Sequence, residues 1–160
     1  MVDTAVDLKF ADGEYHFALL LPQIFELERN CGGPDSDGVR KGKSVFQIYD
    51  ELSAGLGLGI DESLPVFMGG GRANAKDIRE TIRLGLIGGG QTPIDAKQLV
   101  DDYCFPARPM AECLGVAWAI MRATIEGVEV KKKPTTAVKP KRKPAQNLSE
   151  KAQQSRIVAT

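Results

Sequence analysis

The chain has 160 residues, of which 42% are apolar, 26% charged and 6% aromatic. Three cysteines (Cys31, Cys104 and Cys113) at irregular spacing, with no CxxC pair, exclude a disulfide-stapled miniprotein and suit a reducing cytoplasm. The 21 basic and 21 acidic residues cancel, yet they are segregated: from Lys131 onward nine Lys or Arg stand against one acid, Glu150, so an acidic body precedes a basic tail.

The N-terminus has neither a basic n-region nor an apolar h-region, and no apolar run approaches the roughly 18–20 residues of a membrane span. The expectation is a soluble, unsecreted protein.

Val6, Leu8 and Phe10 alternate with polar residues, as do Tyr15, Phe17 and Leu19 after Asp12-Gly13. Asp-Gly between two alternating runs predicts a β-hairpin. A two-residue loop at Asp12-Gly13 sets Phe10 opposite Tyr15 and Leu8 opposite Phe17, with all the apolar residues on one face. A lone hairpin is marginal in water, so that face must rest on helices.

Pro22 suits the first turn of a helix through Ile24, Phe25 and Leu27, stopped at Cys31-Gly32-Gly33-Pro34. Residues 33–42 read as a loop. Ser44 can cap a second helix carrying Val45, Ile48, Tyr49 and Leu52. The Gly-rich stretch from Gly55 to Gly71 leaves Pro65-Val66-Phe67 open between a short helix and an extended piece. Asn74 is a good N-cap for a third helix, with Asp77 in its first turn. Ile78, Ile82 and Leu86 give that helix a narrow apolar stripe, and Gly88-Gly89-Gly90 ends it. Thr92-Pro93 opens a fourth helix, closed before Pro106. The fifth, from about Pro109 to Glu126, is apolar around so much of its circumference that it should be central and buried. The Lys/Pro-rich residues beyond 130 cannot bury a core and are expected to be disordered, with a short frayed helix over 147–158 as an option.

Candidate chemistry is sparse. His16, the one histidine, falls on the strand face opposite Tyr15 and Phe17, where a solvent-facing residue is expected instead of a catalytic base. Zinc-ligand spacing is absent, and no metal or cofactor is expected. Gly69-Gly70-Gly71-Arg72 precedes a helix start, but without a βαβ strand or a Gly-Lys-Ser/Thr sequence it reads as a loop. Gly88-Gly89-Gly90 lies at the wrong helix pole for phosphate. The pairs Asp101-Asp102 and Glu26/Glu28 do not face each other on a helix. An enzyme is not expected.

The ordered set of these pieces resembles a known family. It comprises the hairpin turn Asp12-Gly13-Glu14-Tyr15-His16-Phe17 and the helix Phe25-Glu26-Leu27-Glu28-Arg29-Asn30-Cys31-Gly32. It continues with the run Asp77-Ile78-Arg79-Glu80-Thr81-Ile82-Arg83-Leu84-Gly85-Leu86-Ile87-Gly88-Gly89-Gly90, then Thr92-Pro93, Asp101-Asp102-Tyr103 and a small-residue closing helix from Ala111 to Ala123. Over about residues 5–127 it is similar to the gene transfer agent and phage tail assembly chaperones, some of which are also called tail tube proteins. The Gly55–Gly71 stretch is longer than the family leads one to expect, and the basic tail is not a family hallmark.

The resemblance implies a non-catalytic protein of tail morphogenesis in the bacterial host cytoplasm. It would bind the tape measure protein, and the tail tube protein is a further candidate partner. A structural tail subunit retained in the particle is the alternative; a nucleic-acid-binding or regulatory protein built on the tail is a second one. The expected fold is α+β, an N-terminal hairpin on a bundle of about four to five helices over residues 1–130, with the basic tail over 131–160. Candidate partner contacts are Ile82, Gly85, Leu86, Ile87, Gly88, Gly89 and Gly90, for which core packing is the competing reading. The candidate electrostatic segment comprises Lys131, Lys132, Lys133, Lys139, Lys141, Arg142 and Lys143, which could meet phosphates but has no aromatic residue to stack on bases.

Overall fold

A computed structural model describes residues 2–57 and 64–129, which belong to one compact unit. Its described residues form five helices and small antiparallel strand pairs, an α+β fold. The basic residues 131–143 and the optional helix over 147–158 lie outside the described residues.

Strands β1 (Val2–Asp3) and β2 (Ala5–Phe10) are followed by β3 (Gly13–Ala18). The hairpin β2–β3 forms as predicted, but its register differs: Phe10 pairs with Gly13, Leu8 with Tyr15 and Val6 with Phe17. The loop is Ala11-Asp12, with Ala11 at φ 58. This earlier turn lets the Tyr15 hydroxyl donate to the Asp12 carboxylate at 2.5 Å. It also sets side-chain-free Gly13 opposite buried Phe10, whose ring meets Tyr15 and Phe17 edge-on at centroid distances of 6.2 and 5.9 Å. Every pairing partner moves by two residues, so the apolar residues keep their common face.

Helix α1 (Leu21–Asn30) carries proline in its first turn and buries Leu27, while Phe25 points outward. The segment read as a loop instead holds a short ribbon, β4 (Gly32–Pro34) with β5 (Arg40–Gly42). Its turn is tied by the Asp35 carboxylate, which accepts from the backbone N–H groups of Asp37 and Val39. Helix α2 (Val45–Ser53) starts at Ser44, whose hydroxyl accepts from Gln47 N–H at 3.1 Å, and it buries Ile48 and Leu52. The open question at Pro65-Val66-Phe67 resolves as extended: β6 (Leu56–Gly57) pairs with β7 (Val66–Phe67).

Helix α3 (Ala75–Gly88) begins at Asn74, but the asparagine side chain makes no capping bond. Helix α4 (Pro93–Tyr103) is capped by the Thr92 hydroxyl, which accepts from Asp95 N–H at 3.2 Å. Helix α5 (Met110–Ile125) buries nine residues, as its apolar circumference requires. After it, β8 (Val128–Glu129) pairs with β1.

The core lies where α3 meets α1, α4, α5 and the hairpin. Phe17, Leu27, Ile82, Leu84, Leu86, Ile120 and Met121 are fully enclosed there. Each such side chain contributes about 1.5–3 kcal/mol by leaving water. The apolar stripe of α3 is therefore wider than the Ile78/Ile82/Leu86 repeat implies, because Thr81, Leu84 and Gly85 are also buried. A helix surrounded on several sides needs more than one sheltered face. No helix among the described residues is long and apolar enough to cross a membrane.

Candidate partner-binding surface

The run predicted to meet a partner, Ile82 to Gly90, is mostly interior. Ile82, Gly85 and Leu86 are buried, Ile87, Gly88 and Gly89 are half-buried, and only Gly90 is exposed. A partner cannot reach the first three without opening the core, so in the folded protein they act as packing residues.

The glycines have a separate geometric reason. A Cβ at Gly88 would lie 1.9 Å from the Ala18 carbonyl oxygen, and one at Gly89 would lie 1.8 Å from that of His16. The end of α3 thus crosses the β3 backbone at a distance only glycine permits. Gly90, at φ 113, completes the stop. Its N–H donates to Ile87 O, and Gln91 N–H donates to Leu86 O at 2.9 Å, which satisfies carbonyls the helix would otherwise leave open. At Gly85 a Cβ would come within 3.2 Å of the Ile120 and Phe17 side chains, so that glycine serves close packing of α3 on α5 and the hairpin.

Around the same helix lies a set of ionic contacts. Lys43, just before α2, donates to Glu51 at 2.6 Å and to Asp77 at 2.7 Å, and the Asp77 side chain is only 3% exposed. Burial alone would lower the Lys43 ammonium, but the two carboxylates outweigh it and raise it above the usual lysine value. Asp77 is thus an anchor for Lys43 more than a partner for the helix dipole. On the other side Arg83 bridges Glu80 at 2.9 Å and Glu26 of α1 at 3.1 Å. Burial would raise the Glu80 carboxyl; hydrogen bonds from Arg83 and Asn30 outweigh it and hold it below the usual range. Arg79 pairs with Asp101 and donates to Phe105 O at 2.7 Å, joining α3 to α4.

Two clefts open on this frame. One of about 790 Å³ runs between α3 and α4, past Arg79, Arg83, Ile94 and Lys97. The other, about 420 Å³, lies between β7 and the start of α5, with Phe10, Phe67, Tyr103, Cys113 and Val116 in its walls. Exposed apolar side chains cluster as Leu20, Leu21 (62% exposed) and Phe25 (61%) at α1 and as Val66, Phe67 and Met68 at β7, while Phe46 on α2, Ile94 (78%) on α4 and Met110 on α5 stand singly on their helices. Leu21 and Phe25 are one helical turn apart and share a face. Sequence reasoning assigned Phe25 and Ile94 to their helices without seeing that they face solvent. The excess of apolar residues in α1 over one buried stripe was the available signal.

His16 is exposed on β3, with Nδ1 2.7 Å from Asp7 of the facing strand. All three cysteines are free and buried. Gly69 and Gly70, both at positive φ, shape the approach to α3.

A family model described as phage tail tube protein, GTA-gp10, matches residues 46–127, from α2 to the end of α5. The hairpin and α1, which contributed to the resemblance, lie outside that match. No curated protein and no solved structure matches the chain. The matched half of the chain contains α3 with its glycine stop and the enclosed α5, the two helices on which the core is built, and the chain belongs to this gene transfer agent and phage tail family.

Proposed function

We propose that the protein is a tail assembly chaperone: it binds the tape measure protein during tail morphogenesis and performs no catalysis. The observation that carries this reading is the apolar surface left open on a helical fold, above all Leu21 and Phe25 on α1. Paired apolar side chains one turn apart suit an amphipathic helix of a long, apolar-rich partner, which would otherwise aggregate before the tube forms. The contact surface we assign is therefore α1 and its surroundings, in place of the buried part of the Ile82–Gly90 run. The host cytoplasm, where tails assemble, is the compartment that goes with this role.

The architecture favours a transient helper over a tube wall. Tube subunits are commonly β-sandwiches with several long strands. Here, among the described residues, the longest strands have six residues and each sheet has two strands. The family's description as a tail tube protein favours the second reading, a structural subunit retained in the particle.

Co-expression with the tape measure protein of the same system, followed by pull-down and mass spectrometry of purified particles, separates the two. Co-purification with the tape measure and absence from particles is the expected result. Stoichiometric presence in particles would overturn the chaperone reading in favour of the structural one.

A further inference from the structure

Helix α1 turns one side outward. Its exposed residues are Leu21, Pro22, Phe25 and Arg29, and at about 3.6 residues per turn they fall within an arc of about 100°. Buried Leu27 points the opposite way. A glutamate flanks the arc on each side, but the protein engages both itself. Glu26 pairs with Arg83 at 3.1 Å, and Glu28 accepts from the Val45 N–H at 2.9 Å. Arg29 is therefore the one charge within the arc, and no ion pair among the described residues involves it.

The fold brings a second cation to the same end of the helix. Strand β5 crosses the last turn of α1 so closely that a Cβ on Gly42 would stand 2.4 Å from the Glu28 carbonyl oxygen. The Lys43 N–H ties this crossing by donating to the carbonyls of Glu28 and Cys31, at 3.1 and 2.8 Å. From the start of β5, exposed Arg40 reaches back and donates to the Asn30 carbonyl at 3.3 Å, over the C-terminal end of α1. Its neighbour Lys41 is matched by Asp35 at 3.2 Å, whereas Arg40, like Arg29, has no carboxylate among the described residues. The helix dipole favours cations here, but two exposed guanidinium groups have more donors than that single carbonyl engages. The outward surface is thus apolar along the first two turns of α1 and cationic at its end.

We propose that this side of α1 docks an amphipathic helix of the partner that carries two apolar residues one turn apart and a carboxylate one turn beyond them. The apolar pair packs on Leu21 and Phe25, and the carboxylate meets Arg29 and Arg40. The inference rests on the reading of α1 as the contact surface and adds the chemistry that the surface selects. A second copy of this chain does not answer it. A parallel α1–α1 contact sets Arg29 against Arg29, an antiparallel one lays Arg29 on Leu21, and neither supplies a carboxylate. A wholly apolar helix would draw the guanidinium groups out of water with nothing in exchange. Helix α1 is only about 15 Å long, so the contact is small and leans on charge, which suits a partner that must later be released.

The test co-expresses the full chain with the tape measure protein, captures the complex and washes it at about 50 mM and about 500 mM salt. Arg29→Glu with Arg40→Glu should lower retention about tenfold at the lower salt and clearly less at the higher, where screening already weakens the parental contact. Arg29→Lys with Arg40→Lys keeps the charge and should hold the partner. Arg72→Glu with Lys76→Glu makes the same change in net charge on exposed residues at the start of α3, and should leave retention at the parental level. A photoreactive side chain at position 25 identifies the bound segment by mass spectrometry, and lysines in place of its carboxylates should restore binding to the charge-reversed chain. If urea midpoints show that the reversal weakens the fold, Arg29→Gln with Arg40→Gln replaces it and should lose about threefold. Loss of retention in Leu21→Ser with Phe25→Ser, but not in the charge variants, would overturn the proposal and leave α1 as the contact surface. Parental retention in all of them would overturn both. A loss equal at the two salts, or a cross-linked segment without a carboxylate, would overturn the proposal alone.

Discussion

The Gly89 Cα faces the His16 carbonyl oxygen so closely that an added Cβ would stand 1.8 Å from it. The obstacle is backbone, and it belongs to a strand held in a six-residue ladder, so it cannot swing aside. Gly89→Ala and Gly88→Ala should each destabilise the protein by about 1–3 kcal/mol or more through overpacking. Gly85→Ala should do less harm, because the atoms it meets at 3.2 Å are side-chain atoms of Ile120 and Phe17 that need give only a few tenths of an ångström, not backbone. Urea unfolding midpoints of the three variants should fall in that order. Equal midpoints would contradict the close crossing of α3 over β3.

Lys43 neutralises a carboxylate that has almost no access to water. Lys43→Ala should cost about 3–5 kcal/mol, because it leaves Asp77 buried without its partner. The double variant Lys43→Met with Asp77→Asn should recover a large part of that loss, since it removes both charges and nearly keeps the volume. A double variant as unstable as Lys43→Ala would mean that the damage comes from packing and not from the orphaned charge.

The pH dependence follows from which direction each group is moved. Glu80 and Glu51 are held below the usual carboxyl range, so they contribute stability above about pH 4.3, the ordinary glutamate value, and lose it as pH falls through their lower folded values. Glu80→Gln should flatten the acid limb of a stability–pH curve. Cys31 is raised, so its contribution is complete below about pH 8.5, the ordinary thiol value, and declines as pH rises above it. Cys31→Ala should reduce the alkaline loss while leaving the acid limb unchanged. Chemical denaturation at closely spaced pH values reads both.

Leu21 and Phe25 hold little of the fold together, since both are more than half exposed. Leu21→Ser with Phe25→Ser should change stability by only about 0.5 kcal/mol. If α1 is the contact surface, the same pair should lower retention of the tape measure protein at least about tenfold, as losing a binding hot spot does. Normal retention with normal stability would move the contact elsewhere on the surface.

Much of the architecture was legible from short-range chemistry. The hairpin, the Ser44 and Thr92 caps, the central α5 and the glycine stop of α3 rest on periodicity, capping and turn residues, each acting within a few positions of the chain. Where a non-local contact set the outcome, the sequence pointed less surely. The β1–β8 pair joins backbone groups that no local pattern relates, whereas the β4–β5 ribbon folds about the Asp35 turn. The hairpin register is a separate case: its earlier turn goes with contacts inside the hairpin itself, Asp12 with Tyr15 and Phe10 with Tyr15 and Phe17, that the Asp-Gly signal does not include.

The candidate site shows the same division. Periodicity and turn residues pointed to a mostly helical protein, and the ordered segments carried the resemblance to a tail family, with the Ile78–Gly90 run as its most distinctive part. Only the tertiary structure decided what that run does. Amphipathic periodicity marks an apolar face but is silent on what covers it. Here β3 and α5 cover it, and the apolar side chains that stay exposed lie elsewhere, among them those of α1, α2, α4 and β7. Burial depends on which elements meet, and that is a property of the whole chain, not of any window along it.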